Sequence, residues 1–157
     1  MATLLEEVDL LRRIPLFAGI DPGKLKLLAF ASERLSYDDG QNLFRQGEVG
    51  ESAYVIMDGE ADVIVETDDG EIPVAELKQN AFIGEIAILC DVPRTATVRA
   101  KSKLEVLKVK KEHFLGLIAD FPELGVEVMR ELASRLSRTT SELSDARREI
   151  DTLREAG

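Results

Sequence analysis

The sequence predicts a mainly β fold, an antiparallel barrel or jelly roll, flanked by helices and followed by one long helix. Three observations carry this reading. Between about Tyr37 and Val109 the apolar residues recur with period two in short runs, whereas on either side the period is helical. Asp58-Gly59 and Asp68-Asp69-Gly70 separate those runs, and Asp-Gly between alternating segments is a strong hairpin signal. From Pro122 to Arg154 the chain carries no proline beyond Pro122 and only Gly125 as a glycine, so one uninterrupted helix is expected there.

The elements follow in order. The first 35 residues read as helical. Leu4, Leu5, Val8, Leu10 and Leu11 make an apolar face that Pro15 stops. Asp21-Pro22 reads as an N-cap with proline in the first helical position, ahead of Leu25, Leu27, Leu28 and Phe30. The β runs are Ala53–Met57, Ala61–Thr67, Ile72–Ala75, Thr95–Ala100 and Leu104–Val109, the last two separated by Lys101-Ser102-Lys103. Helical spacing returns after Lys110 with Phe114, Leu117 and Ile118. Asp120-Phe121-Pro122 breaks that helix, and Pro122 suits the first turn of the next. Two parts are expected: residues 1–121 as the β domain with its N-terminal helices, and residues 122–157 as a helical lid and dimerisation segment.

Composition narrows the function classes. Apolar residues make up 45% of the 157 and charged residues 32%, enough for a real core. No apolar run approaches the roughly 18–20 residues that span a bilayer, and the acidic, amphipathic N-terminus does not read as a secretory signal. A cytoplasmic chain is therefore expected. Twenty Lys and Arg stand against 30 Asp and Glu, a net charge of -10, which argues against direct nucleic-acid binding. One Cys excludes an internal disulfide and a cysteine metal cluster, and one His excludes a multi-histidine metal cage. An enzyme, such as a jelly-roll isomerase or metalloenzyme, is correspondingly disfavoured; a binding module without a metal is expected. Cys90 reads as a buried or half-exposed thiol, and His113, in a Lys-Lys-Glu-His run, as a surface residue.

One segment is unlike a plain hairpin: Phe82-Ile83-Gly84-Glu85-Ile86-Ala87-Ile88-Leu89-Cys90-Asp91-Val92-Pro93-Arg94-Thr95-Ala96-Thr97-Val98. It embeds a helical turn in a β domain. Gly84 removes a side chain where backbone must approach something, and Glu85 to Leu89 open a short helix with free N–H groups. Arg94 offers a planar donor fork that matches phosphate oxygens. The Thr95 hydroxyl and the Ala96 N–H add donors. Glu85 would repel that phosphate, so it suits a sugar hydroxyl instead.

This segment resembles the phosphate-binding cassette of cyclic-nucleotide-binding domains, whose pattern runs roughly F-x-G-E-[LI]-A-L and then P-R-[AST]-A-T-V. Upstream glycine turns match too, in Phe44-Arg45-Gln46-Gly47-Glu48-Val49-Gly50-Glu51-Ser52 and Asp58-Gly59-Glu60. The likeness extends from about Leu10 to Leu143 and is greatest to the bacterial catabolite activator (cAMP receptor) type. It implies a double-stranded β-helix, or jelly roll, enclosing cAMP, with cGMP as the alternative. It further implies Glu85 on the ribose 2′-hydroxyl, Arg94 on the cyclic phosphate, and Gly84, Ile86 and Ala96 acting through backbone groups. Thr95 is similar to the Thr of cGMP-selective relatives. Asn80 stands where the family often has Gly, and Asn tolerates positive φ.

The last helix carries its own argument. With Met129 as an a position, Met129, Leu136, Leu143 and Ile150 form the a set, and Leu132, Thr139, Ala146 and Leu153 the d set. Seven apolar residues of eight at this spacing make a coiled-coil seam. From Met129 to Leu153 it runs about 36 Å at 1.5 Å per residue, longer than a small barrel covers. Flanking charges pair as Glu142–Arg147′ and Glu149–Arg154′ in a parallel homodimer, at only about 0.2–1 kcal/mol each. The run Arg135-Leu136-Ser137-Arg138-Thr139-Thr140 is similar to Arg-Leu-x-x-Thr-Ser of the catabolite activator family. That resemblance implies Arg135 bracing Glu85, Thr139 reading the base in its own chain, and Thr140 the base in the partner chain. The expected function is thus a non-catalytic cyclic-nucleotide sensor signalling through movement of its C-terminal helix, with an effector protein as a further partner. The alternative is the sensor part of a DNA-binding transcription regulator, whose helix-turn-helix would begin where this chain stops.

Overall fold

The computed structural model describes residues 4–156. Its elements are α1 (Leu4–Arg13), a 3-10 turn (Pro15–Phe17), α2 (Pro22–Ala31), β1 (Glu33–Tyr37), β2 (Asn42–Phe44), β3 (Ser52–Asp58), β4 (Ala61–Thr67), β5 (Gly70–Leu77), β6 (Phe82–Ile83), α3 (Glu85–Cys90), β7 (Thr97–Ala100), β8 (Leu104–Lys110), α4 (Lys111–Asp120) and α5 (Pro122–Ala156). Two antiparallel four-stranded sheets face each other, ordered β1-β8-β3-β6 and β2-β7-β4-β5. The fold is mainly β with flanking helices and a long C-terminal helix, as the sequence predicts.

Strand alternation divides the apolar residues between two cores. Tyr54 and Ile56 of β3, with Leu104 and Val106 of β8, point between the sheets and meet Leu43, Ala61, Ile83 and Val98. Ala53, Val55 and Met57, with Leu107 and Val109, point the other way. They pack under Leu11, Phe17, Leu25, Phe114, Leu117 and Leu124 from the helices. Both faces of β3 are therefore covered, which is why Ala53–Met57 is a continuous apolar run rather than an alternating one.

Several local signals act as read. The Asp21 Oδ1 accepts a hydrogen bond from the Gly23 N–H at 3.0 Å, and Pro22 is the first residue of α2. Pro122 opens α5 directly after α4 ends. Pro73 sits in β5, an edge strand beside a register shift at Val63/Ile64, where its missing N–H does no harm. Asn80 has φ +74°. Two readings need correction. The first 35 residues are not all helical: α2 ends at Ala31, capped by the Ser32 N–H on the Ala29 carbonyl, and β1 starts at Glu33 because β8 offers Glu33–Tyr37 a partner edge. Cys90, expected as a buried or half-exposed thiol, is exposed at the end of α3 and not buried. His113 is exposed.

Along α5, Leu124 and Val128 are buried and Leu132 is half-buried against the helical core, so this d position of the seam packs on its own barrel. Met129, Leu136, Leu143, Ile150 and Leu153 point to solvent, with Leu136 and Leu143 each 68% exposed.

Candidate functional site: a cation-bearing cavity under the long helix

The site begins where β6 ends. Ile83 pairs with Tyr54 of β3, and the next residue, Gly84, takes φ +87° to turn strand into α3. A Cβ at Gly84 would stand 2.6 Å from the Arg94 Nη1, so both the left-handed backbone and the neighbour require glycine.

Arg94 is held from several sides. Its own N–H donates to the Glu48 carbonyl and its carbonyl accepts from the Gly47 N–H, both at 2.8 Å, which ties the segment to the β2–β3 loop. Nη1 donates to the Gly84 carbonyl at 2.8 Å and Nη2 to the Ser52 carbonyl at 2.6 Å. The guanidinium also lies over the Phe44 ring, 4.0 Å from its centroid. Gly50 leaves it room, since a Cβ there would come within 2.8 Å of Nε. Arg94 is only 5% exposed, yet no carboxylate lies at ion-pair distance among the described residues, and its buried Nε has no hydrogen-bond partner. Burial pulls its pKa below the ordinary guanidinium value, while Tyr54, Glu48 and Glu85 act in the opposite sense. A buried cation supported by neutral acceptors and a ring face is short of one negative charge.

Glu85, first residue of α3, is 4% exposed. Its carboxylate pairs with Arg135 of α5. Arg135 also donates from Nη2 to Glu131 at 2.9 Å and to the Phe82 carbonyl at 3.3 Å. Burial raises the Glu85 pKa above its ordinary 4.5, and the Arg135 charge opposes that rise. The pair is the polar joint between cassette and long helix.

These groups border one cavity of about 540 Å³, of a size that accommodates a small organic ligand. Gly84, Glu85, Ile86, Arg94, Thr95, Ala96, Arg135 and Thr139 all line it, so eight of the nine residues singled out from sequence come together; Thr140 is exposed and does not. The cation and the carboxylate are both at its wall, as a phosphate-and-sugar ligand requires. Sequence reasoning missed Phe44, Arg138, Glu142 and the β5 segment Val74–Leu77. Arg138 and Glu142 were within reach, because Arg138 lies three residues beyond Arg135 and Glu142 three beyond Thr139 along the helix. Phe44 and β5 carry no local signal; only the closing of the two sheets brings them here. Among the described residues no group of three His, Cys, Asp or Glu side chains is placed to hold a metal, and no helix is long and apolar enough to cross a membrane.

Fold and site together define a β domain with a cavity of small-molecule size under its long helix. The family described as cyclic nucleotide-binding domain matches residues 34–121, more than half of the chain, and the chain belongs to that family. It is 40% identical over 114 residues to the cAMP-dependent protein kinase regulatory subunit of Blastocladiella emersonii, covering 70% of this chain and 28% of that one. It is 27% identical over 138 residues to a CRP-like cAMP-activated global transcriptional regulator of Mycobacterium tuberculosis, covering 87% and 62%. Among solved structures, that of the Thermus thermophilus catabolite activator protein superposes with a TM-score of 0.75 at 29% identity, over 83% of this chain and 62% of that one. The chain spans less than two thirds of the length of each of these relatives. As a cyclic nucleotide-binding domain it is related to both kinase regulatory subunits and transcription regulators.

Proposed function

We propose that this chain is a non-catalytic sensor of cAMP, with cGMP as the alternative ligand, and that it signals through α5 in a parallel homodimer. The observation that carries the proposal is Arg94: a buried guanidinium that has, among the described residues, no carboxylate partner and no acceptor for its Nε, at the wall of a cavity of nucleotide size. A cyclic phosphate carries one negative charge and supplies the missing acceptors. The Thr95 hydroxyl and Ala96 N–H add donors beside it, and Gly84 and Ile86 approach through backbone. Glu85 accepts a hydrogen bond from the ribose 2′-hydroxyl while Arg135 keeps it oriented. Thr139 contacts the base. Thr140, on the outside of the same helix, is left for the base in the partner chain. Residues 1–121 hold the nucleotide, and residues 122–157 act as lid and dimer contact. The names of the relatives, which carry cAMP in both kinase and transcription regulators, support the choice of adenine.

The test is Arg94→Ala. Removing the principal cation for a desolvated phosphate weakens cAMP binding by at least about 1.5–3 kcal/mol, roughly 10- to 150-fold, by titration calorimetry. An affinity equal to wild type overturns the assignment of the phosphate to Arg94.

A further inference from the structure

We infer that Phe44 is a positioning residue of the ligand site, its ring face keeping the Arg94 guanidinium turned toward the nucleotide cavity. The inference rests on the cyclic-nucleotide reading above and adds to it a residue outside the phosphate and sugar contacts.

The geometry is specific. The Arg94 Cζ lies 4.0 Å from the Phe44 centroid, well inside the roughly 6 Å reach of a cation–π contact, and 5.9 Å from the Tyr54 centroid at its limit. The two rings lie 5.7 Å apart, tilted by 33°, as a continuous aromatic floor from β2 and β3. A guanidinium donates hydrogen bonds in its plane and meets an aromatic ring through its face. Phe44 therefore stabilises the cation without consuming a donor that a phosphate needs.

A second space explains why such a hold is required. Phe44 and Arg94 border both the main cavity and a smaller one of about 280 Å³ lined also by Glu48, Glu51, Tyr54 and Lys108. Ring and guanidinium thus form the partition between the two. The smaller space offers Arg94 two carboxylates, a competing home for a buried cation. Removing the ring removes the partition, and the guanidinium gains a route toward Glu48, away from the ligand.

The experiment is calorimetric titration of the full chain with cAMP and with cGMP. Position 44 is varied as Phe, Tyr and Leu, and as phenylalanines carrying one, two and three ring fluorines. Fluorination drains the ring face while nearly preserving its shape, so a loss that follows fluorine number reports the cation contact and not packing. Affinity is expected to fall stepwise along the fluorine series, to fall roughly 3- to 30-fold in Phe44→Leu, and to stay within about two-fold of wild type in Phe44→Tyr. Affinity independent of fluorine number, with wild type binding normally, overturns this inference alone. A wild-type chain that binds neither nucleotide overturns the reading beneath it.

Discussion

At the scale of single residues, Glu85 holds the clearest pH-dependent contribution. Its folded pKa lies above its ordinary 4.5 because burial outweighs the Arg135 charge. The folded state therefore binds the Glu85 proton more tightly than the unfolded state. The corresponding stability is fully present below about 4.5 and is lost as pH rises through the folded pKa. We expect the stability difference between wild type and Glu85→Gln, from urea unfolding, to shrink or invert as pH rises from about 4 to 7, since Gln cannot ionise. A difference that grows with pH contradicts a raised carboxyl. The Arg135 charge favours the ionised form against the burial that disfavours it, which makes the ion pair a joint between α3 and α5 rather than a net source of stability.

At the scale of elements, α5 divides its residues between two partners. Leu124, Val128 and Leu132 pack on the helical core, Arg135 and Thr139 reach the cavity, and Met129, Leu136, Leu143, Ile150 and Leu153 remain exposed. This stripe of large apolar side chains runs along a helix of 35 residues, about 52 Å at 1.5 Å per residue, and in the proposed homodimer it is the face that a second chain would cover. Changing Leu136 and Leu143 together to Asp is expected to give a monomer by light scattering with the barrel still folded, because neither side chain packs on the barrel. A monomeric wild type contradicts the seam. The charges that flank it, Glu142 and Glu149 against Arg147 and Arg154 of a second copy, would choose parallel over antiparallel pairing without adding much stability.

At the scale of the whole molecule, the cavity is closed by groups from both sheets, α3 and α5. A ligand there would touch barrel and helix together, so any difference in its contacts between two helix positions becomes a bias on α5. The same closure implies stabilisation by mass action. At cAMP one hundred times its dissociation constant, about 2.7 kcal/mol is expected. For a chain of this size that raises Tm by roughly 5–11 °C. Arg94→Ala should remove roughly half to nine-tenths of that shift at the same nucleotide concentration, and a full shift in that variant would place the phosphate elsewhere.

Much of this was legible because the signals are local. The Asp21-Pro22 cap, the Asp-Gly turns, the break at Phe121-Pro122 and the run from Gly84 to Arg94 each act within a few residues, where backbone sterics and donor geometry decide the outcome. The boundary between α2 and β1 was not legible, because only the edge of β8 tells Glu33–Tyr37 to extend. Phe44 was silent for the same reason. It sits 50 residues from Arg94, and nothing near either announces that a ring and a guanidinium will stack. The sequence by itself determined the periodicities, the turns, the cassette and the apolar stripe of α5. Tertiary structure alone decided that Arg94 is buried without a counter-ion among the described residues, that Glu85 faces Arg135, and which side of α5 is left over. Burial and charge pairing arise when distant segments close on one another, and no spacing along the chain encodes them directly.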